Sequence, residues 1–310
     1  MATNHLLIMA YGGPDTIDDV RPYLLDVRHH RPTSEEIFHE IEERYKLIGG
    51  RSPIKELTEA QAAGIQQHLD QQSAEGESWE VHIGMRHWYP YIAETIADMK
   101  AEGVERMVTL VMAPHYSSMS IGAYNKAVDN AADGIEVASI DRWNMLPGFL
   151  DALTERVNDA LQAFPDDVRD SVPIIFTAHS LPERIRESKD PYESDLNATY
   201  EEMKSRFPGH PAHWAFQSAA MTKDPWLGPD ASEVINHIHA DGGQHVLIVP
   251  VGFVCDHVEI LYDIDVEFKQ QADALGMQLE RIRMVNDHPT MTSALADLVR
   301  RRAAEAGWLA

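Results

Sequence analysis

The chain has a single cysteine, Cys255, in 310 residues. One thiol cannot close an internal disulfide, nor can it hold a four-thiolate iron–sulfur cluster within one chain. Basic residues are also scarce: 26 Lys and Arg stand against 50 Asp and Glu, a formal charge of −24. A field this negative repels phosphate backbones, so nucleic acid is not an expected partner, while divalent cations are attracted. It also repels polycarboxylate ligands unless local arginines reverse the sign. No apolar run approaches the ~18 residues of a membrane span. The opening MATNHLLIMAYGG lacks the basic n-region of a secretory signal. A cytoplasmic location is the expectation. Phosphate-binding glycine patterns are missing too: Ala10-Tyr11-Gly12-Gly13-Pro14 is not a dinucleotide fingerprint, and there is no GxxxxGK[ST]. The absence of a GxSxG nucleophile elbow argues against a Ser–His–Asp hydrolase.

What is present is ordinary globular sequence, 44% hydrophobic and 25% charged, in short apolar runs that alternate with amphipathic stretches. That alternation predicts parallel α/β architecture. Strands are expected at 5–10, 79–84, 106–113, 136–140, 173–178, 213–217, 245–251 and 278–283. Helical patterns fall at 15–27, 34–45, 58–70, 91–101, 123–132, 148–163, 192–206, 231–240, 258–274 and 291–304. The halves resemble each other weakly. Leu6 to Tyr11 matches Ile174 to His179, and Val108 to Pro114 echoes Val246 to Pro250. The polar stretch Phe164-Pro165-Asp166-Asp167 marks the expected crossover, giving domains over 1–165 and 166–310. Ligands of open α/β sheets bind beyond the carboxyl ends of strands. Tyr11, His115, His179 and the segment from Phe253 to Glu259 are therefore expected to face one cleft.

Three groups of residues carry possible chemistry. The segment from Asp256 to Glu267 follows an apolar strand and should open a helix, with Asp256 as N-cap. On a regular helix Glu259, Asp263 and Glu267 form one acidic stripe, either a solvated face or a row of oxygen ligands for a hydrated divalent cation. His179, in Ala178-His179-Ser180-Leu181-Pro182, is either a structural hydrogen-bonding residue or, with Glu259, half of an open N/O site suited to Fe2+. A neutral imidazole beside a carboxylate would also serve as a base at pH 7. Finally, Arg28, Arg31, Arg44 and Arg51, with Tyr45 and Ser52 nearby, are rare cations in an acidic chain. They either pair with Glu35, Glu36, Glu42 and Glu43 or grip ligand carboxylates. His115-Tyr116-Ser117-Ser118 and Tyr124-Asn125-Lys126 extend that group.

In this order the motifs resemble the ferrochelatase family over almost the whole chain. They are Met9 to Pro14, Arg44-Tyr45 with Ile48 to Pro53, Ala113 to Ser117, Ser120 to Lys126, Ala178 to Pro182, Gln217-Ser218, Asp224 to Pro229 and Pro250 to Asp265. The likeness is greatest to the soluble bacterial type that acts on coproporphyrin III. The resemblance implies two similar Rossmann-like domains, each with a four-stranded parallel sheet, and a porphyrin cleft between them. It implies that His179 and Glu259 are inner metal ligands and proton acceptors, and that Tyr11 approaches from the opposite face as a ligand of product iron. Arg28, Arg44, Tyr45, Ser52 and Tyr124 would hold porphyrin carboxylates. Asp263 and Glu267 would form an outer row for an accessory cation such as Mg2+. One departure is His29, where the family often has a second arginine.

The implied reaction is insertion of Fe2+ into coproporphyrin III, giving coprohaem for haem biosynthesis. No tightly bound cofactor is implied. The chain is expected to be a monomer without nucleic-acid or membrane-spanning partners, with transient contacts to neighbouring haem-pathway enzymes. The competing readings are a protoporphyrin IX ferrochelatase, a cobalt or nickel chelatase for another tetrapyrrole, and a haem or coprohaem carrier without insertion chemistry.

Overall fold

Leu6-Leu7-Ile8-Met9 and Val246-Leu247-Ile248-Val249 are unbroken apolar runs, the pattern of strands covered on both faces, and each forms an inner strand of its sheet. The computed structural model describes residues 3–220, 222 and 224–309. The first sheet contains β1 (Thr3–Ala10), β2 (Ser78–Met85), β3 (Arg106–Val111) and β4 (Glu136–Ile140), and the second contains β5 (Ile174–His179), β6 (Ala212–Gln217), β7 (His245–Val249) and β8 (Gln278–Arg281). Every strand pairing is parallel. The orders β2-β1-β3-β4 and β6-β5-β7-β8 are the same permutation. The resemblance between halves is thus a repeated topology. All eight expected strands form; β7 stops short of the expected residue 251 because Pro250 has no N–H to continue the ladder.

The connections are helical: α1 (Val20–Val27), α2 (Glu35–Leu47), α3 (Ile54–Gln72), α4 (Ile92–Ala101), α5 (Ile121–Ala131), α6 (Pro147–Leu161), α7 (Tyr192–Arg206), α8 (Ala231–Ala240), α9 (Val258–Leu261), α10 (Lys269–Ala274) and α11 (Pro289–Glu305). The expected helix over 258–274 is not continuous. Between α9 and α10 lies a π-helical segment, Asp263–Phe268, where the Val266 and Glu267 N–H groups both donate to the Tyr262 carbonyl at 3.0 Å. Such π segments interrupt regular helices at functional sites more often than elsewhere.

The last helix crosses back. By sequence α11 belongs to the 166–310 half, yet it packs on α3, α6 and the β3–β4 side of the first sheet. Met291, Leu295 and Val299 join one apolar cluster with Leu6 and Val108 from the first sheet and with Phe176 and Leu247 from the second. A shared core thereby connects the two sheets. No helix among the described residues is long and apolar enough to cross a membrane.

Candidate active site

In each sheet the strand order reverses between the two inner strands, at β1/β3 and at β5/β7. The carboxyl ends at such a reversal diverge and leave a crevice. Both crevices open into one cleft with about 330 Å³ of room, walled by Tyr11 and His115 from the first sheet and by His179, Phe253 and Glu259 from the second. The expected convergence of strand ends is therefore observed.

His179 is the last residue of β5, and Glu259 is the second residue of α9. His179 Nε2 lies 3.5 Å from Glu259 Oε1. The other ring nitrogen, Nδ1, faces the Ser180 carbonyl, which fixes the ring so that Nε2 points at the glutamate. Glu259 has a second imidazole neighbour: His257 Nε2 stands 3.7 Å from Oε2, with its Nδ1 held at 2.9 Å by the Cys255 carbonyl. Behind the pair, the fully buried Gln217 donates from Nε2 to the Glu259 carbonyl at 2.8 Å and accepts from Thr177 Oγ1 at 2.7 Å. Tyr192 donates its hydroxyl to the His179 carbonyl at 2.9 Å. Backbone and side chains of both residues are therefore positioned before any ligand arrives.

The charges within the pair are coupled. Burial alone would lower the pKa of His179, but the adjacent Glu259 carboxylate and the Ser180 carbonyl outweigh it and push the imidazole up to about 9. Burial likewise works against Glu259, yet the His179 and His257 imidazoles hold it well below the usual carboxylate range. With no ligand bound the pair is imidazolium and carboxylate at pH 7.

Tyr11 follows β1 and lines the other side of the cleft, 38% exposed. Burial, then the negative charge of Glu259, raises its phenol to about 12, so it is neutral at pH 7. Its ring leans on His87 at 4.7 Å, and His87 Nδ1 pairs with Asp26 at 2.7 Å. Tyr45, Ser52 and Tyr124 are buried and line the same cleft. Ser52 sits there because Gly13 lets it approach: a Cβ on Gly13 would come within 2.6 Å of Ser52 Oγ.

The acidic row departs from the expected stripe. Because the π segment intervenes, Glu259 faces the cleft, Asp263 is buried and Glu267 is exposed. Asp263 accepts from the Ser218 hydroxyl and lies 3.9 Å from Arg44 Nη1. Burial and then Glu259 lift its carboxyl to about 7. Asp256 does not cap α9; that position is His257. Asp256 instead pairs with Arg281 at 3.2 Å and accepts from Asn286 at 2.9 Å.

Two expected carboxylate grips do not wall the cleft. Arg44 stacks over Tyr262 at 4.8 Å and bonds Glu40 at 2.9 Å. Arg28 donates to Thr33 at 2.9 Å, and His29 beside it is exposed. A cation that sequence reasoning missed does line it. Arg86, just after β2, stacks over Tyr124 at 5.4 Å with no ion pair among the described residues. Its position beyond a strand's carboxyl end was the available signal. His257 was likewise missed, although it lies inside the segment assigned to the cleft.

The repeated four-stranded topology with strand ends meeting in one cleft is a chelatase fold. It superimposes on the Bacillus subtilis protein SirB, solved with Fe3+, at a TM-score of 0.60 and 12% identity, covering 99% of this chain and 98% of that one. Sequence narrows the class. The ferrochelatase family model matches residues 3–303. The chain is 39% identical over 302 residues to a ferrochelatase of Herpetosiphon aurantiacus, covering 96% of this chain and 98% of that relative. It is 37% identical over 308 residues to the coproporphyrin III ferrochelatase of Geobacillus thermodenitrificans, covering 97% and 96%. The chain belongs to the ferrochelatase family.

Proposed function

We propose that this protein inserts ferrous iron into a porphyrin, and that the porphyrin is coproporphyrin III. The observation that carries the reading is the His179–Glu259 pair, one imidazole and one carboxylate 3.5 Å apart in the wall of a cleft of about 330 Å³. Two ligands from one side bind Fe2+ without enclosing it, which suits transfer to a second acceptor better than a closed structural site would.

In the proposed reaction a porphyrin carrying two pyrrole N–H groups enters the cleft between Tyr11 and the His179–Glu259 pair. Contacts at the ring's carboxylates hold it tilted, so that pyrrole lone pairs face the pair. Fe2+ exchanges water for Glu259 oxygen, and the imidazole proton of His179 leaves to solvent as its nitrogen takes the metal. Iron then moves to the four ring nitrogens and two pyrrole protons depart. One of them restores the imidazolium–carboxylate pair. Tyr11 faces the product iron from the first-sheet side.

The preference for coproporphyrin rests on the hydroxyl and cation supply. A ring with four propionates needs more donors than a ring with two, and Ser52, Tyr45, Tyr124 and Arg86 line the cleft. Asp263 and Glu267 are proposed to hold an accessory Mg2+. Burial near Glu259 leaves Asp263 reluctant to ionise alone, and a divalent cation would reverse that penalty. A cytoplasmic monomer completes the reading. The test is anaerobic turnover of one preparation on coproporphyrin III and protoporphyrin IX. At least a tenfold higher kcat/KM on coproporphyrin III is expected, and equal or reversed values overturn the ring assignment. Stoichiometric binding without turnover on either ring would favour a carrier instead.

A further inference from the structure

A second cluster of metal-ligating side chains lies away from the cleft. His5 on β1 and Glu80 and His82 on β2 share one face of the first sheet, with His5 in register with Glu80 and Leu7 with His82. This face continues through Leu7 and Met9 into the apolar contact with α4. Two imidazoles and a carboxylate are out of place on it. From His5 to the strand's end at Ala10 the rise is roughly 17 Å, too far to share an ion with the cleft.

His5 Nδ1 and His82 Nε2 are 3.1 Å apart, and the ring centroids are 5.4 Å apart at 29°. The two nitrogens therefore point almost straight at each other, with room for only one proton between them. Glu80 Oε2 is 3.8 Å from the same His5 nitrogen. All three ligand atoms lie within 4.8 Å of one another. A tetrahedral ion with bonds of 2.0–2.1 Å separates its ligands by about 3.3 Å. The nitrogens are already close to that spacing, and the exposed Glu80 side chain has a short distance to close.

We propose that His5, His82 and Glu80 bind a borderline divalent transition metal of the Zn2+ class, joining the edge strand β2 to β1. A modest turn of the two rings brings both lone pairs onto the ion. The proton between them moves to the outer nitrogen of the ring that carried it, and water completes the coordination. The N2O donor set selects Zn2+, Co2+ or Ni2+ over the hard cation Mg2+.

The test is calorimetric titration of Zn2+ into the full chain carrying His179→Ala and Glu259→Gln, which removes the cleft pair. One equivalent of Zn2+ is expected to bind, and Mg2+ in excess, whose proposed place is at Asp263 and Glu267, should not displace it. Adding His82→Gln should weaken Zn2+ at least 30-fold, and His5→Gln should do the same independently should the first variant fold poorly. Absence of binding in the parent, or affinity within threefold after either histidine change in a chain with parental circular dichroism, overturns the site.

Discussion

Gly252 is packed so tightly against Ala178 that a Cβ built on it would lie 2.5 Å from the Ala178 Cβ and 2.7 Å from its Cα. Its N–H also donates to the Thr177 carbonyl at 3.1 Å. The glycine that follows β7 therefore sets where β5 ends, and His179 is the next residue on β5. Gly252→Ala must push the strand end aside. Overpacking of this kind costs about 1–3 kcal/mol, and displacing His179, the proposed metal ligand, would cost far more in rate than in stability. Iron insertion is expected to fall at least tenfold in kcat, with a measurable drop in Tm. Ala178→Gly in the same chain should restore part of both, because the two positions share one clash. Wild-type turnover in Gly252→Ala would show that the position of His179 does not depend on this contact.

The His179–Glu259 pair gives a separate expectation. His179→Ala and Glu259→Gln each remove a proposed iron ligand without touching the hydroxyls and cations assigned to the ring. Insertion should drop at least 100-fold in either variant. The Kd for metal-free coproporphyrin III, read by fluorescence quenching, should stay within about threefold. Retention of more than a tenth of the turnover, or loss of porphyrin binding in step with activity, would contradict the assignment.

Much of this arrangement was legible from residues alone, and the misses have physical causes. Strands such as Leu6 to Met9 announce themselves because both faces are covered and every position is apolar. Strand ends mark the cleft because parallel α/β topology leaves nowhere else for it, and that placed Tyr11, His179 and Glu259 together. The π segment was not legible. Asp263 to Phe268 reads as ordinary helix, and only the doubled bond to the Tyr262 carbonyl shows otherwise. Arg44 was assigned from its residue type and the family resemblance, neither of which encodes its approach to Asp263 and Tyr262 from a distant segment. The protonation of His179 depends on a 3.5 Å distance that no spacing in sequence encodes.

Arg86 offers a test of which cation meets the ring's carboxylates. It lines the cleft with its charge stacked on Tyr124. Charge-assisted hydrogen bonds contribute about 1.5–3 kcal/mol. Arg86→Ala is therefore expected to weaken coproporphyrin III by at least tenfold at low salt, with the difference shrinking as ionic strength rises. Arg86→Lys should recover part of the affinity, since charge survives but the bidentate fork does not. An unchanged Kd in Arg86→Ala at low salt would move the grip to Arg28 and Arg44.

His115 is expected to give the folded chain a pH-dependent stability separate from the His179–Glu259 pair. It is 3% exposed, with Nε2 at 2.8 Å from Thr199 Oγ1 and Nδ1 without a hydrogen-bond partner. Burial drives its pKa down to about 3 from an ordinary value of 6.5. Above the unfolded value both states are neutral and the residue is silent. As the pH falls below about 6.5 the unfolded chain takes a proton that the folded one refuses, so stability is lost at about 1.4 kcal/mol per pH unit. His115→Gln keeps a polar partner for Thr199 and removes the titration. Between pH 6.5 and 4.5 the wild-type chain should lose about 2–3 kcal/mol more than this variant, measured by urea unfolding at each pH. Parallel losses in the two chains would mean that the folded protein accepts the proton on His115, and that the unpaired Nδ1 reaches water through the cleft.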